Sequence, residues 1–327
     1  MNSDFAWQWL KDQLSAAAAD GIYLGTSSWK YPGWLGSVYD EQRYLYRGKV
    51  AQSRFEKQCL SEYATLFPTV CVDAAYYQFP SADRLMALAS QVPPTFTFSF
   101  KVTADITLNR FPDLPRFGNR AGKANPNFLN VDLFKSSFLG PCSAIRSQTA
   151  LVILEFSTFH RDDFARGRDF MDQLEPFLAQ LPPEWDYGIE IRNRQFLHPD
   201  YFSLLSHYGI THIFNSWSGM PSLTDQWSLP GSVTRPDRVG ARLLLKPGRK
   251  YQEAVDAFQP YQDIREPLPG LRETAADIIR QRRFPGTGRK TWLYVNNRLE
   301  GNAPRTIAAV LAMAADSQPP PPQGPAG

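Results

Sequence analysis

Short apolar, strand-like runs alternate with helix-like stretches along nearly the whole chain, and this alternation limits the fold more than any other feature. The strand-like runs fall at residues 22–26, 70–74, 96–102, 150–155, 187–192, 211–215, 240–246 and 291–296. Helical patterns lie between or after them at 54–66, 82–90, 127–142, 164–180, 200–207, 271–282 and 304–315. About eight such units predict a TIM-type (β/α)8 barrel, an architecture of roughly 250 residues or more. The sixth connection, near residues 219–227, is irregular, and residues 105–126 make a long third βα loop without structure of its own. A doubly wound open sheet is the rival, but it opens with a Gly-rich fingerprint at its first turn. Gly25-Thr26-Ser27-Ser28 is not one.

Within the strands, period-2 alternation assigns side chains to faces. Phe96, Phe98 and Phe100 take one face of the third strand, and Thr97, Ser99 and Lys101 take the other. The polar set opposite three phenylalanines faces the barrel interior. Ile189 and Ile191 likewise oppose Glu190 and Arg192, and Val70, Val72 and Ala74 oppose Cys71 and Asp73. Glu155 closes the fourth strand, Arg242 and Lys246 share a face of the seventh, and Asn296-Asn297 ends the eighth. Barrel chemistry collects at the C-terminal ends of strands, where these residues converge. The bland reading is an ion network that fills the barrel without catalysis.

Composition excludes little. The chain has 327 residues, 43% hydrophobic and 20% charged, with a net charge of +3, too small to argue for nucleic acid. Cys59, Cys71 and Cys142 share no metal-like spacing and read as reduced thiols of a cytoplasmic protein. Residues 1–20 lack the basic and apolar regions of a signal peptide and form a helical extension, with Phe5, Trp7, Trp9, Leu10 and Leu14 as its apolar residues. One barrel domain spans 21–316, and a Pro-rich disordered tail follows at 317–327. No apolar stretch is long enough for a membrane span.

The landmarks are Gly-Thr-Ser-Ser-Trp-Lys-Tyr-Pro-Gly-Trp at 25–34, Val-Asp-Ala-Ala-Tyr-Tyr-Gln-Phe-Pro at 72–80, Phe-Ser-Phe-Lys at 98–101, Glu-Ile-Arg at 190–192 and Tyr-Val-Asn-Asn at 294–297. In order and spacing these resemble the YecE-like family, domain of unknown function 72. The resemblance implies a TIM-type barrel and assigns no reaction. Three positions depart from the family pattern. Asp73 stands where Glu is usual, and Leu-Glu-Phe-Ser with Glu155 replaces a Gln-containing motif. Leu244 occupies the His of an Arg-x-His motif, whose role, if the family reaction needs it, is lost here or moved to Lys246.

Glu190 with Lys101 and Arg192 is the leading catalytic constellation: a general acid/base between two cations that stabilise negative charge. Glu155 and Glu190 alternatively divide acid and base roles, as in glycoside hydrolysis. Arg242 and Lys246 serve as anion anchors and Asn297 as a positioning group. The Lys246-Pro247-Gly248-Arg249-Lys250 loop and the helix opening at Asn302 match the usual barrel phosphate site, or are an ordinary solvated loop. Thr26 and Ser27 lie near Asp73 and Asn297. Trp29, Tyr31 and Tyr77, together with Trp34, Tyr76 and Trp217, stack on a ring or pack beneath their loops; for Tyr76 packing is preferred. Residues 285–291 form a turn, because the segment lacks Gly before Lys and precedes a strand.

The reading is a barrel that binds an anionic, phosphate- or carboxylate-bearing, sugar- or nucleotide-like small molecule, with hydrolysis as the default reaction. No cofactor is expected. A metal-dependent phosphodiesterase or nuclease is one alternative, although His160, His198, His207 and His212 show no close ligand spacing. A non-enzymatic barrel binding a ligand or nucleic acid is the other. The oligomeric state is left open.

Overall fold

Eight strands close into a single parallel barrel in the computed structural model, which describes residues 3–160 and 162–316. They are β1 (Ile22–Thr26), β2 (Thr69–Val72), β3 (Thr97–Lys101), β4 (Thr149–Phe156), β5 (Tyr187–Ile191), β6 (Thr211–Asn215), β7 (Arg238–Leu243) and β8 (Lys290–Val295). Each pairs with its sequence neighbours, and β1 completes the ring by pairing with both β8 and β2. Every expected strand is present. β7 starts and ends earlier than the apolar run, so Leu244–Lys246 already lie in its exit loop.

The expected faces hold. Phe98 and Phe100 are fully buried in the large cluster beneath the helices. Ser99, between them, points inward and hydrogen-bonds the Tyr294 hydroxyl at 2.6 Å. Thr69 reaches the same hydroxyl at 3.0 Å. Leu151, Ile153, Ile213 and Trp292 fill the rest of the interior. Glycine is required where strands crowd: a Cβ on Gly25 would lie 2.2 Å from the Thr69 carbonyl oxygen, so any side chain there would push β1 off β2.

Outside the ring, the N-terminal helix Ser3–Ala19 packs on β1 and buries Leu10, Leu14 and Ala17 in the main cluster. The third connection is not structureless. Asn125 donates to the carbonyls of Asp105 at 2.8 Å and Leu108 at 2.7 Å, and Arg110 forms an antiparallel bridge with Ala124. One side-chain amide thus pins both ends of what sequence reads as a free loop. The sixth unit is irregular as expected, with only the short helix Leu223–Ser228 before β7. A helix at Tyr251–Phe258, after β7, escaped the sequence reading. The Pro-rich tail at 317–327 lies outside the described residues. Among the described residues, no helix is long and apolar enough to cross a membrane.

His212 on β6 is a core histidine. Its ring packs 5.3 Å from Phe202 and 4.9 Å from Phe214, and burial lowers its pKa to about 3. The folded state therefore binds fewer protons than the unfolded state, whose histidine titrates near 6.5. Stability should be full above about pH 6.5 and fall by about 1.4 kcal/mol per pH unit as pH drops toward 3. Urea midpoints measured between pH 7 and 5 check this. The slope should flatten in His212→Leu, and an equal slope in that variant would contradict the assignment.

Candidate functional site

Five strands deliver charged residues to one end of the barrel. Lys101 ends β3, Glu155 lies on β4, Glu190 on β5 and Arg242 on β7, while Asp73 and Arg192 directly follow β2 and β5. Register sets the electrostatic problem, because Glu155 and Glu190 are direct partners on adjacent strands. Two buried carboxylates side by side repel strongly unless cations stand between them.

The cations do stand between them. Arg192 donates from Nε to Glu190 Oε1 at 2.9 Å and from Nη2 to Glu155 Oε2 at 2.7 Å. Arg242 donates to Glu190 Oε2 at 2.7 Å and to Asp73 Oδ1 at 2.6 Å. Lys101 pairs with Glu155. Three positive and three negative groups therefore alternate. Arg242, Glu155 and Glu190 are essentially inaccessible to solvent, and Lys101 nearly so.

The environment separates the roles of these groups. Burial pushes the Glu155 carboxyl up, but Arg192, Lys101 and Arg242 override it and hold its pKa down to about 2. Burial pulls the Lys101 ammonium below the ordinary lysine value, and Arg192 and Arg242 add to that, with Glu155 opposing. Burial pushes the Cys71 thiol far up, so the thiol beneath the cluster is not a nucleophile.

Above the cluster lies a cavity of about 410 Å³. Asp73, Lys101, Glu155, Arg192 and Arg242 form its charged floor, with Ser157 and Asn296 beside them. Aromatic rings carry the cations: Lys101 Nζ lies 3.5 Å from the Tyr76 ring centre, Arg192 3.8 Å from Trp217, and Arg298 4.4 Å from Tyr251. Exposed Arg116 and Tyr77 complete the rim.

Several sequence-predicted residues stand elsewhere. Glu190 does not line the cavity, and both of its oxygens are held by guanidinium groups. A clamped, buried carboxylate is poorly placed to exchange protons with a ligand, so Glu190 positions the two arginines. Thr26 bonds the Tyr63 hydroxyl at 2.9 Å and the Ser28 carbonyl at 2.7 Å, facing away from the cavity. Ser27 is buried, and its amide donates to the Val295 carbonyl at 3.1 Å. Asn297 is also buried, and its Oδ1 accepts from the Ala303 amide at 2.7 Å, tying the β8 exit to the last helix.

The first loop makes no stacking wall. Trp34 is fully buried against Tyr39, and Tyr31 packs 4.9 Å from Trp34 and 5.4 Å from Tyr261. Trp29 is buried beside a different cavity. The ring-bearing wall comes from Tyr76, Tyr77, Trp217 and Tyr251 instead, so Tyr76 does more than pack beneath its loop. Lys246 lies 3.5 Å from Glu266, which also takes two 2.7 Å bonds from Arg249, so two of the three cations of this basic loop share one carboxylate. Lys246 is not among the residues that line the cavity, whereas Leu244, at the position of the His in the Arg-x-His pattern, is buried and lines it.

Ser157, Tyr251 and Arg298 escaped the sequence reading as cavity-lining groups, whereas Asn296 stands at the barrel mouth, as its position at the end of β8 predicts. A signal existed for Arg298, which follows the β8 exit by three residues. Among the described residues, no three His, Cys, Asp or Glu side chains gather as a metal-binding group.

The family profile described as "Protein of unknown function DUF72" matches residues 23–326. A crystal structure of a DUF72 family protein from Enterococcus faecalis superposes with a TM-score of 0.57 at 17% identity, covering 92% of this chain and 99% of that one. A DUF72 family protein from Thermotoga maritima gives 0.56 at 17% identity, covering 90% and 99%. These likenesses establish the shared fold. No curated protein matches the chain in sequence.

Removing one member of the buried cluster leaves an uncompensated charge. Glu190→Ala should therefore destabilise the protein by about 3–5 kcal/mol, read from urea unfolding at pH 7. A loss below about 1 kcal/mol would mean that Glu190 is not integral to the network.

Proposed function

The chain belongs to the DUF72 family, and from that premise we propose that its barrel-mouth cavity binds a small anionic, ring-bearing molecule, a phosphate- or carboxylate-bearing sugar or nucleotide. The lining charge carries this reading. Lys101, Arg116, Arg192, Arg242 and Arg298 line the cavity against only Asp73 and Glu155. Both of those carboxylates are engaged by floor cations. Arg116 and Arg298 have no carboxylate within 4.0 Å among the described residues, so their charge remains for a ligand. An anion here would meet guanidinium groups suited to bidentate contact, and the rings of Tyr76, Tyr77, Trp217 and Tyr251 offer faces to a sugar or base.

The chemistry follows from which group can change its proton state. Glu155, held near 2, stays ionised and acts electrostatically. Glu190 has neither oxygen free. Lys101 lines the cavity, and its environment moves it toward neutrality, which supports it as the proton-transfer group for a hydrolytic step. The division of roles between two carboxylates loses support, since Glu155 stays ionised and both oxygens of Glu190 are clamped by arginines.

Thermal-shift and calorimetric measurements on sugar phosphates, sugar acids, nucleotides and their neutral parents test this. Anionic members should bind, and Arg298→Gln should weaken them about tenfold or more, the cost of a charge-assisted hydrogen bond. Equal binding of neutral parents, or no effect of Arg298→Gln, would sink the reading. For any member that is converted, Lys101→Arg should keep binding within a fewfold while turnover collapses. Undiminished turnover in that variant would remove Lys101 from the chemistry.

A further inference from the structure

A second, larger cavity of about 900 Å³ lies on the far side of the Asp73–Tyr77 segment, between the helix Gln52–Leu66, the helix Ala82–Ala89 and the exit loops of β1 and β2. Its character is opposite to that of the charged site. The floor is apolar, built from Trp29, Val72, Phe79, Leu85, Leu88 and Phe100. Three exposed cations, Lys30, Lys57 and Arg84, stand on its edge. None of the three has a carboxylate within 4.0 Å among the described residues. Asp73 is the one acidic side chain among the lining residues, and its Oδ1 is already taken by Arg242 at 2.6 Å.

We infer that this groove is a second ligand site, for a small apolar carboxylate: an acyl or aryl chain ending in one anionic group. The charge distribution selects that occupant. A neutral apolar guest would satisfy the floor and leave three cations without a partner. A polyanionic sugar would satisfy the cations and place hydroxyl groups against aliphatic and aromatic surface, where they find no partner. A chain of apolar carbons with a terminal carboxylate meets both halves, its body on the floor and its head at the basic edge. The site stands independently of the proposed anion site, because it uses different cations and shares only the Asp73 and Tyr77 wall.

Isothermal titration of the full chain with octanoate, octan-1-ol and 3-phenylpropionate at low salt tests the inference. Octanoate and 3-phenylpropionate should bind, octanol should bind at least tenfold more weakly, and raising salt should weaken the carboxylates alone. The surface double variant Lys57→Gln/Arg84→Gln, checked for unchanged thermal unfolding, should lose at least tenfold in octanoate affinity and nothing in octanol affinity. Arg298→Gln should leave octanoate binding unchanged, which separates this groove from the anion site. Absent octanoate binding, octanol binding as tight as octanoate, octanoate affinity unaffected by the double variant, or octanoate binding lost in Arg298→Gln would each overturn the inference.

Discussion

Arg242 is the group around which the barrel mouth is arranged. A guanidinium ion removed from bulk water is costly unless it is paired, and Arg242 is almost wholly buried. It persists because Glu190 and Asp73 each accept a short hydrogen bond from it. That requirement propagates. Both oxygens of Glu190 are then engaged by guanidinium groups, and register places Glu155 beside it. Two adjacent carboxylates in turn require Arg192 and Lys101. Each member is tolerable only because the next is present, so the floor is fixed in position by its own pairings.

The fold was readable because a barrel writes its topology into local pattern. Phe96, Phe98 and Phe100 opposite Thr97, Ser99 and Lys101 specify a strand and its inward face within seven residues. The same logic found Asp73, Glu155, Arg192 and Arg242. Alternation reports which face a side chain takes but not its depth, and Glu190 is the example. It shares a face with residues of the floor yet sits beneath them, clamped by two arginines that come from 2 and 52 residues away. Arg298 lies in the exit loop of β8, where no periodicity marks direction, and Tyr251 opens a helix that the sequence pattern does not reveal.

The aromatic Gly/Pro segment after β1 shows a different limit. Three large rings in a short polar loop resemble a binding wall, and here they pack. A Cβ on Gly33 would lie 2.0 Å from the Pro260 carbonyl oxygen, so the segment is pressed against the distant 258–261 region, where Tyr261 meets Tyr31. Its rings seal the barrel end between β1 and the loop after β7. The rings that line the cavity are instead those stacked on cations, a pairing with no sequence signature because ring and charge come from different units, as with Arg192 and Trp217.

Arg242 and Asp73 are 169 residues apart, and Thr69 and Tyr294 are 225 apart. Neither pair gains anything from the partial sheets that precede closure. The half formed by β5–β8 would hold Arg242 without Asp73 and leave exposed edges on β5 and β8. The ion cluster therefore discriminates against incomplete rings and shifted registers, since a one-residue slip of β7 would turn Arg242 toward the helices. The contacts that span the greatest sequence separation are also among those that build the cavity floor. Cavity and topology therefore depend on the same long-range pairing, so an intact floor itself reports that the ring has closed.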